Sequence, residues 1–304
     1  MTNQSRRRRG SREEPASGMR VFVNGELVRE AAAMVSALDR GLLYGYGLFE
    51  TMRSYDGRVF RLEEHYRRLR EGAALLDLDV PLSLAGLGEA VDAVLQANDL
   101  TDAYLRLTLT AGPLPGLIEG TERTKAQVIL FARELTDYPE ALYRRGMSAV
   151  ISRIRRNEGS PLSRVKSLNC LDNLLAREEA RRQGADESIL VNSQGFVAEG
   201  SASNVFLVKD GELLTPSIPS GALPGITRQV VLELATTAGL AAKEADIEPA
   251  ALFGAAEAFL TSSIKEVMPL TGLDGRPVGS GQPGPVAERL HRLYRGLALR
   301  EAAL

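Results

Sequence analysis

Apolar positions along the chain change period several times, and each period predicts a different element. Residues 62–76 place apolar side chains three or four positions apart, which predicts an amphipathic helix. Residues 84–95, 171–183, 227–238 and 286–302 have comparable helical patterns. Short apolar runs predict strands at 104–110, 127–132, 147–152, 188–191, 195–198, 204–208, 212–215 and 258–260. Helices and strands therefore alternate along most of the sequence.

Turn signals divide this pattern into two parts. Asn24-Gly25 and Asp210-Gly211 each separate two short apolar runs, which predicts two β-hairpins. Residues 136–146 contain Pro139 and end in Gly146, as a connection between domains would. We therefore expect an N-terminal α/β domain at 19–135, a connection at 136–146 and a larger C-terminal domain at 147–304, after a tail at 1–18.

The predicted helix at 171–183 has its own internal signals. Leu171, Leu174 and Leu175 form an apolar stripe, which favours a helix. Glu178 precedes Arg182 by four residues, a spacing that favours an ion pair along one helix face.

Composition sets the class of protein. The 304 residues are 44% apolar and 25% charged, which is ordinary for a globular protein and long enough for two domains. The net charge of −2 does not call for nucleic acid or a membrane surface, and no apolar run approaches the roughly 20 residues of a membrane span. The tail carries five arginines, including Arg6 to Arg9, against two glutamates. It is either a disordered, solvated extension, which we expect, or an arm for nucleic-acid binding or targeting.

Few residues are available for metal or thiol chemistry. Cys170 is the single cysteine, so the chain forms no internal disulfide, and a reducing cytoplasm is the expected location. With only His65 and His291 beside it, a zinc site is not expected. No G-x-S-x-G motif marks a serine hydrolase of the elbow type.

Four segments carry candidate chemistry, and each has an ordinary alternative. Lys166 precedes a predicted helix, where a desolvated lysine could attack a carbonyl, although most lysines are solvated surface groups. Glu199, followed by Gly200, could pair with a cationic ring nitrogen or be an exposed turn acid. Residues 223–228 open a helix whose start could bind an anion or be capped by Thr227. Residues 261–263 offer hydroxyl donors to a phosphate, or form a plain loop.

The order and spacing of these segments resemble those of the fold-type IV pyridoxal-phosphate enzymes. That family includes branched-chain aminotransferases, D-amino-acid aminotransferases and aminodeoxychorismate lyases. The resemblance extends from about Val21 to Leu273 and also includes residues 39–51 and 59–69. It implies the D-amino-acid aminotransferase-like fold, an α/β architecture of two domains whose larger C-terminal domain has a mixed β-barrel-like core.

The resemblance also implies a pyridoxal 5′-phosphate cofactor and the residues that hold it. Lys166 matches the catalytic Schiff-base lysine, Glu199 the acid beside the pyridine nitrogen, and Arg61 the arginine that binds the phosphate. The remaining cofactor residues implied in this way are Ser203, Asn204, Ile226, Thr227, Ser262 and Ser263.

On the substrate side, the resemblance implies a wall formed by Tyr44, Phe49 and Glu50, shared between the subunits of a homodimer. Arg106 lies where branched-chain enzymes carry an arginine near the substrate entrance. For Arg61 and Arg106 the alternative is a surface ion pair.

Two departures bear on the substrate. Branched-chain enzymes place a tyrosine five residues after the lysine, whereas Cys170 and Leu171 supply no phenol here. The arginine–histidine pair of the D-amino-acid enzymes is not evident, and residues 112–116 contain no basic residue.

Three functions remain open at this stage. We expect amino-group transfer between an amino acid, branched-chain-like, and a 2-keto acid. The alternatives are lysis of aminodeoxychorismate to 4-aminobenzoate and pyruvate, and a non-catalytic protein that binds a phosphorylated ligand.

Overall fold

The computed structural model describes residues 18–114, 125–136 and 138–304. The predicted disordered tail at 1–18 lies outside these residues except for Gly18. Eight α-helices are described: α1 (Arg40–Tyr44), α2 (Leu62–Leu75), α3 (Leu84–Ala97), α4 (Glu140–Arg145), α5 (Leu171–Arg182), α6 (Ile226–Thr237), α7 (Pro249–Phe253) and α8 (Pro285–Ala302). Within the described ranges, no helix is long and apolar enough to cross a lipid bilayer.

Six strands precede residue 135: β1 (Arg20–Val23), β2 (Glu26–Arg29), β3 (Gly47–Tyr55), β4 (Arg58–Val59), β5 (Ala103–Thr110) and β6 (Gln127–Glu134). They form one sheet in the order β2-β1-β6-β5-β3-β4. A core lies between this sheet and helices α2 and α3, which bury Leu69, Val91 and Val94 against Leu105 and Leu130.

Nine strands follow residue 146: β7 (Met147–Arg156), β8 (Glu187–Asn192), β9 (Val197–Gly200), β10 (Asn204–Lys209), β11 (Glu212–Pro216), β12 (Ala242–Ala245), β13 (Glu257–Ser262), β14 (Glu266–Leu273) and β15 (Arg276–Pro277). They form one mixed sheet, in which eight follow the order β12-β11-β10-β13-β14-β7-β8-β9 and β15 pairs with β14. The end strand β9 packs against β10 and β11, so the sheet curls into a half-barrel.

This architecture confirms the expected α/β class with two sheets, one of them barrel-like. The chain changes sheets between Glu134 and Met147, and helix α4 lies in the segment expected to connect two domains. The exact division into domains stays a prediction. The sheets are in contact, since Tyr55 and Phe60 pack into the core formed by α6 and α8.

The two predicted hairpins are confirmed. Asn24 and Gly25 have φ of 55° and 103°, and Asp210 and Gly211 have φ of 52° and 79°. Both pairs therefore adopt the left-handed backbone that a tight two-residue hairpin requires, which asparagine, aspartate and glycine tolerate best.

Strand β3 was missed by the sequence prediction. Most side chains from Gly47 to Tyr55 are buried, because β3 lies inside the sheet between β4 and β5, with α2 and α8 packed against it. A strand that is buried along most of its length loses the period of two on which the prediction depends.

The apolar stripe of α5 is exposed in this chain. The predicted helix is present, but Leu171, Leu174 and Leu175 are 65%, 56% and 50% exposed, so they do not pack inward. The helix is held to β7 and β8 mainly through the small buried side chains of Ala176 and Ala180.

Candidate active site

A cavity of about 410 Å³ lies where the two sheets meet. Strands β3 and β5 border it on one side, and the segment before α5, the turn after β9, the start of α6 and the loop after β13 border it on the others. Its volume is in the range of sites that enclose a small organic ligand. The lining includes Lys166, Glu199, Ser203, Asn204, Ile226, Thr227, Ser262 and Ser263, which are all the predicted cofactor residues except Arg61.

The segment that carries Lys166 is fixed to β3 by backbone hydrogen bonds. The Phe49 amide donates to the Lys166 carbonyl at 2.9 Å, and the Leu168 amide donates to the Gly47 carbonyl at 2.9 Å. A Cβ at Gly47 would lie 2.3 Å from the Leu109 carbonyl oxygen, so only glycine fits here. The six-stranded sheet thus determines where a lysine from the other half of the chain enters the cavity.

Lys166 is in an environment that weakens its hold on a proton. The side chain is half-buried because it borders the cavity. Burial of the ammonium group, with the nearby Arg68 guanidinium, lowers its pKa from 10.5 to about 8, although Glu50 and Glu199 oppose the shift. A free amine is therefore accessible near neutral pH, as a lysine nucleophile or base requires.

Glu199 borders the same cavity. Its carboxylate accepts a hydrogen bond from the Leu223 amide at 2.8 Å and lies 3.2 Å from a guanidinium nitrogen of Arg156. Burial raises the pKa of Glu199 above its usual value, and Arg156, the Leu223 amide and Lys166 offset part of that rise. A carboxylate held this way can bind a protonated ring nitrogen.

Asn204 connects the turn after β9 to the start of α6. Its side-chain amide donates to the Leu223 carbonyl at 2.9 Å. A Cβ at Gly225 would lie 2.0 Å from the Asn204 Oδ1, so glycine is needed for this close approach. Gly225 is the N-cap of α6 and provides no side chain to cap it. The first amides of this 12-residue helix are consequently available to an anion.

Hydroxyl groups complete this side of the cavity. Ser262, the last residue of β13, and Ser263, in the loop that follows, border the cavity. The buried Thr261 Oγ1 has no hydrogen-bond partner among the residues that the structure describes. A buried hydroxyl without a partner is costly, which favours a polar ligand beside it.

Arg61 is a correction to the predicted site, because it does not reach the cavity. It is the N-cap of α2, with φ of 56°, and its guanidinium forms ion pairs with Glu64, Glu233 and Glu301 at 2.8, 3.3 and 3.2 Å. This cluster of three carboxylates holds the side chain outside the residues that line the cavity. The ion-pair alternative therefore describes Arg61.

The arginine that α2 does bring to the cavity is Arg68, which the sequence prediction missed. Its Nε donates to Glu50 Oε1 at 2.9 Å and its Nη2 to Glu50 Oε2 at 2.5 Å, while Nη1 donates to the Pro224 carbonyl at 3.0 Å. Arg68 is 9% exposed and lies directly before Leu69, one of the buried apolar residues of α2. Arg68 could have been predicted from its position, because it is a charged residue at the edge of the buried face of α2.

Glu50 binds Arg68 directly, and His65 in turn contacts Glu50. His65 Nδ1 lies 2.7 Å from Glu50 Oε2. Burial would raise the pKa of Glu50, but Arg68 and His65 overcome this and lower it to about 2. Glu50 is 1% exposed and is not among the cavity-lining residues, so its predicted place in the substrate wall is a correction.

The other substrate-side residues are divided. Phe49 and Arg106 border the cavity, with the Arg106 guanidinium 4.0 Å and the Lys166 Nζ 4.6 Å from the centre of the Phe49 ring. Tyr44 is 54% exposed on α1 and is not among the lining residues of this single chain. Tyr104 and Arg177 also border the cavity but were not predicted.

Comparison with known proteins identifies the class to which this fold and site belong. The family model of class IV aminotransferases matches residues 47–273, and the chain belongs to that family. The expected aminotransferase class is therefore confirmed.

Particular relatives narrow the similarity. The chain is 37% identical over 280 residues to a putative branched-chain-amino-acid aminotransferase of Methanocaldococcus jannaschii, covering 92% of this chain and 96% of the relative. It is 35% identical to the branched-chain-amino-acid aminotransferase of Escherichia coli, covering 91% and 92%. It is also 33% identical to the D-alanine aminotransferase of Bacillus licheniformis, covering 94% and 99%.

Solved structures of branched-chain amino acid aminotransferases have a fold similar to that of this chain. The Escherichia coli branched-chain amino acid aminotransferase superposes with a TM-score of 0.88 at 34% identity, covering 94% of this chain and 96% of that one. The T.th. branched-chain amino acid aminotransferase, solved with pyridoxamine 5′-phosphate, also has a TM-score of 0.88, at 31% identity, covering 93% and 95%.

Proposed function

We propose that this class IV aminotransferase uses pyridoxal 5′-phosphate to move an amino group between a branched-chain-like amino acid and a 2-keto acid. The observation that carries the proposal is the joint placement of Lys166 and Glu199 at one cavity of about 410 Å³. Relatives named as branched-chain aminotransferases support the substrate class.

The cavity fits such a cofactor by its own chemistry. The uncapped start of α6 at Ile226 and Thr227, the serine hydroxyls of 262–263 and the unpartnered Thr261 hydroxyl suit a phosphate. Arg68, which lies beside the segment before α6, would add a fixed positive charge. Glu199 would bind the pyridine nitrogen, with Ser203 and Asn204 in the adjoining turn.

Each residue then has a defined part in the transfer. When bound, the cofactor supplies an electron-withdrawing ring that acidifies the hydrogen on the α-carbon of the substrate. Lys166 accepts that proton and returns it, because its lowered pKa leaves the amine available near neutral pH. Phe49 and Arg106 border the substrate side of the cavity, where an apolar side chain of the substrate would contact the Phe49 ring.

The experiment is a spectral titration followed by a substrate panel. Protein purified with added pyridoxal phosphate is expected to absorb visible light, and L-leucine, L-isoleucine or L-valine should change that spectrum while 2-oxoglutarate restores it. Aminodeoxychorismate and D-amino acids serve as comparison substrates. A spectrum that responds to aminodeoxychorismate with release of pyruvate, and to no amino acid, would contradict the proposal.

We also propose that two copies of the chain form a homodimer. The exposed leucines of α5 and the exposed side chains of Leu42, Leu43 and Tyr44 on α1 offer apolar surface near the cavity. A dimer across this surface would bring Tyr44 of one subunit toward the substrate side of the other. Sedimentation velocity should give a dimer for the natural chain and a monomer for Leu171→Glu with Leu174→Glu. A monomeric natural chain would contradict the dimer.

A cytoplasmic location completes the proposal. The free thiol of Cys170 suits a reducing compartment. Cell fractionation should recover the protein with cytoplasmic markers, and recovery with periplasmic or membrane fractions would overturn this point.

A further inference from the structure

A buried ion pair in the cavity wall has no part in the roles above. Lys265 borders the cavity and is 5% exposed, and its ammonium donates a hydrogen bond to Glu187 Oε2. Glu187 is 1% exposed at the start of β8. Removing two charges from water costs free energy, and this cost is offset only where the buried ion pair also forms hydrogen bonds to further polar groups.

Glu187 also fixes the turn that follows Glu199. Its Oε1 accepts the Ser201 hydroxyl and, at 3.2 Å, the Ser201 amide, while its Oε2 accepts the Ser203 hydroxyl at 2.9 Å. The Gly200 amide closes the turn by donating to the Ser203 carbonyl at 2.7 Å. One carboxylate therefore holds both serines between Glu199 and Asn204.

Lys265 is itself anchored from the other side. Its carbonyl accepts a hydrogen bond from the Tyr143 hydroxyl at 3.0 Å, and its amide donates to Ser262 Oγ at 3.0 Å. The next residue, Glu266, has a left-handed φ of 54° and is held by the Tyr55 hydroxyl at 2.7 Å. The backbone of this loop is thus fixed before the Lys265 side chain extends to Glu187.

Lys265 keeps the Glu187 carboxylate ionised although this side chain is buried. Burial alone would raise the pKa of Glu187, but the Lys265 ammonium and the hydroxyl donors lower it below its usual value. Without the ammonium, the carboxylate would be left buried and unpaired, and it would take up a proton or move. Its hydrogen bonds to the serine turn would change in either case.

We propose that Lys265 is a positioning residue that acts through Glu187 to hold the Ser201–Ser203 turn, and with it Glu199 and Asn204, against the bound cofactor. The ion pair joins the loop of Ser262 and Ser263 to the turn after β9, so the two sides of the cofactor site keep a fixed separation. This inference rests on the proposed cofactor for its functional meaning, but the link between Lys265 and the turn can be tested without it.

The first measurement uses cofactor-free protein. Amide hydrogen exchange at residues 200–204 should become at least about tenfold faster in Lys265→Met, since outer-shell contacts of this kind commonly control about 10- to 100-fold effects at a site. Lys265→Arg keeps a charged donor and should restore protection to within about threefold. Unchanged exchange at 200–204 in Lys265→Met would overturn the link.

The second measurement adds pyridoxal phosphate. The dissociation constant in Lys265→Met should rise about tenfold or more, and the pH midpoint of the cofactor absorbance should shift, with recovery in Lys265→Arg. The double variant Lys265→Met with Glu187→Gln contains no unpaired buried charge, but its amide has one acceptor oxygen for the two serine hydroxyls that Glu187 binds with two. Cofactor affinity should therefore fall in this variant too, which tests the prediction if the single variant fails to fold.

Two controls separate positioning from a general loss of stability. Lys243→Met removes a surface pair with Glu212 and should change neither measurement. Leu252→Ala opens the core of the same half of the chain and should lower Tm without a selective effect on residues 200–204. If Lys265→Met lowers Tm as Leu252→Ala does but leaves the cofactor affinity and the pH midpoint unchanged, the role in cofactor positioning is wrong. If the natural chain binds no pyridoxal phosphate, the proposed function is wrong, and the exchange result still decides the structural link.

Discussion

Two parts of the cavity lining are built differently: the part that we call the deep end contains Lys166, Glu199, Asn204 and Arg68, and the part that we call the mouth contains Arg106, Leu174 and Arg177. At the deep end, Glu199, Asn204 and Arg68 are each 9% exposed or less, and their polar atoms are held by partners from several elements. At the mouth, Leu174 of α5 is 56% exposed, and Arg177 of the same helix is also exposed. The polar groups of the deep end are therefore held by contacts within the chain, whereas the mouth has exposed surface that a second subunit or a substrate could cover. Under the proposed function, the first region would hold the cofactor and the second would select the substrate.

The largest effect is expected from the removal of the Lys166 amine at the deep end. Lys166→Met should lower kcat for amino transfer by about 10⁴-fold, because the other cavity lysine, Lys265, is held in an ion pair with Glu187 and does not offer a free amine to the substrate. Steady-state assays with L-leucine and 2-oxoglutarate would measure the loss. Lys209→Met, a change on the exposed end of β10, is the matched control and should retain full activity. Retention of more than a tenth of the activity in Lys166→Met would contradict the role given to the deep end.

The same lysine should leave a signature in stability against pH. The pKa of Lys166 falls from 10.5 to about 8 on folding, so between these values the unfolded chain binds the extra proton and stability rises with pH. Below pH 8 the cost of the buried charge is complete, about 3 kcal/mol at most. Cofactor-free Lys166→Met should thus be more stable than the natural chain at pH 7, and urea unfolding should show the difference shrinking toward pH 10.5. A difference that stays constant over this range would refute the lowered pKa.

Arg68 and Arg61 provide a sharper test within one helix. Arg68→Gln should raise the dissociation constant of pyridoxal phosphate by about 10- to 100-fold, the value of a lost charge-assisted contact to phosphate. Arg61→Gln should leave it within about threefold, because Arg61 pairs with three carboxylates away from the cavity. Fluorescence or absorbance titration of both variants measures the ratio, and equal effects would mean that the correction at Arg61 is mistaken.

The smallest effect is expected at the mouth. Arg106→Met should raise KM for a keto acid by about tenfold, since a half-buried guanidinium contributes about 1.4 kcal/mol to binding a carboxylate. The dissociation constant of the cofactor should not change. Initial-rate kinetics beside a cofactor titration separate the two quantities, and a parallel loss of cofactor affinity would erase the distinction between the regions.

Sequence patterns anticipated the deep end better than the mouth for a physical reason. Lys166, Glu199 and the start of α6 lie at junctions of strands, turns and helices, whose positions short motifs specify. Arg61 and Arg68 differ by two turns of α2, so the sequence alone does not show which of them faces the cavity. The exposed leucines of α5 have the period of a buried face, and only the packing of Ala176 and Ala180 beneath the helix shows which face the chain itself covers.

Long-range pairs were also beyond sequence reasoning. Glu187 and Lys265 are 78 residues apart, and their contact depends on how β8 and the loop after β13 are brought together by the half-barrel. Nothing in the local sequence around either residue indicates the partner. The predicted hairpins at Asn24 and Asp210, in contrast, depend on two adjacent residues and were correct.

The most direct test of the central claim is to reduce the protein with borohydride in the presence of pyridoxal phosphate and then map the modified peptide. Two lysines border the cavity, Lys166 and Lys265, so the experiment has a built-in comparison. We expect the reduced cofactor on Lys166, with Lys265 unmodified because it is paired with Glu187. Modification of Lys265 in preference to Lys166, or of neither residue, would contradict the account.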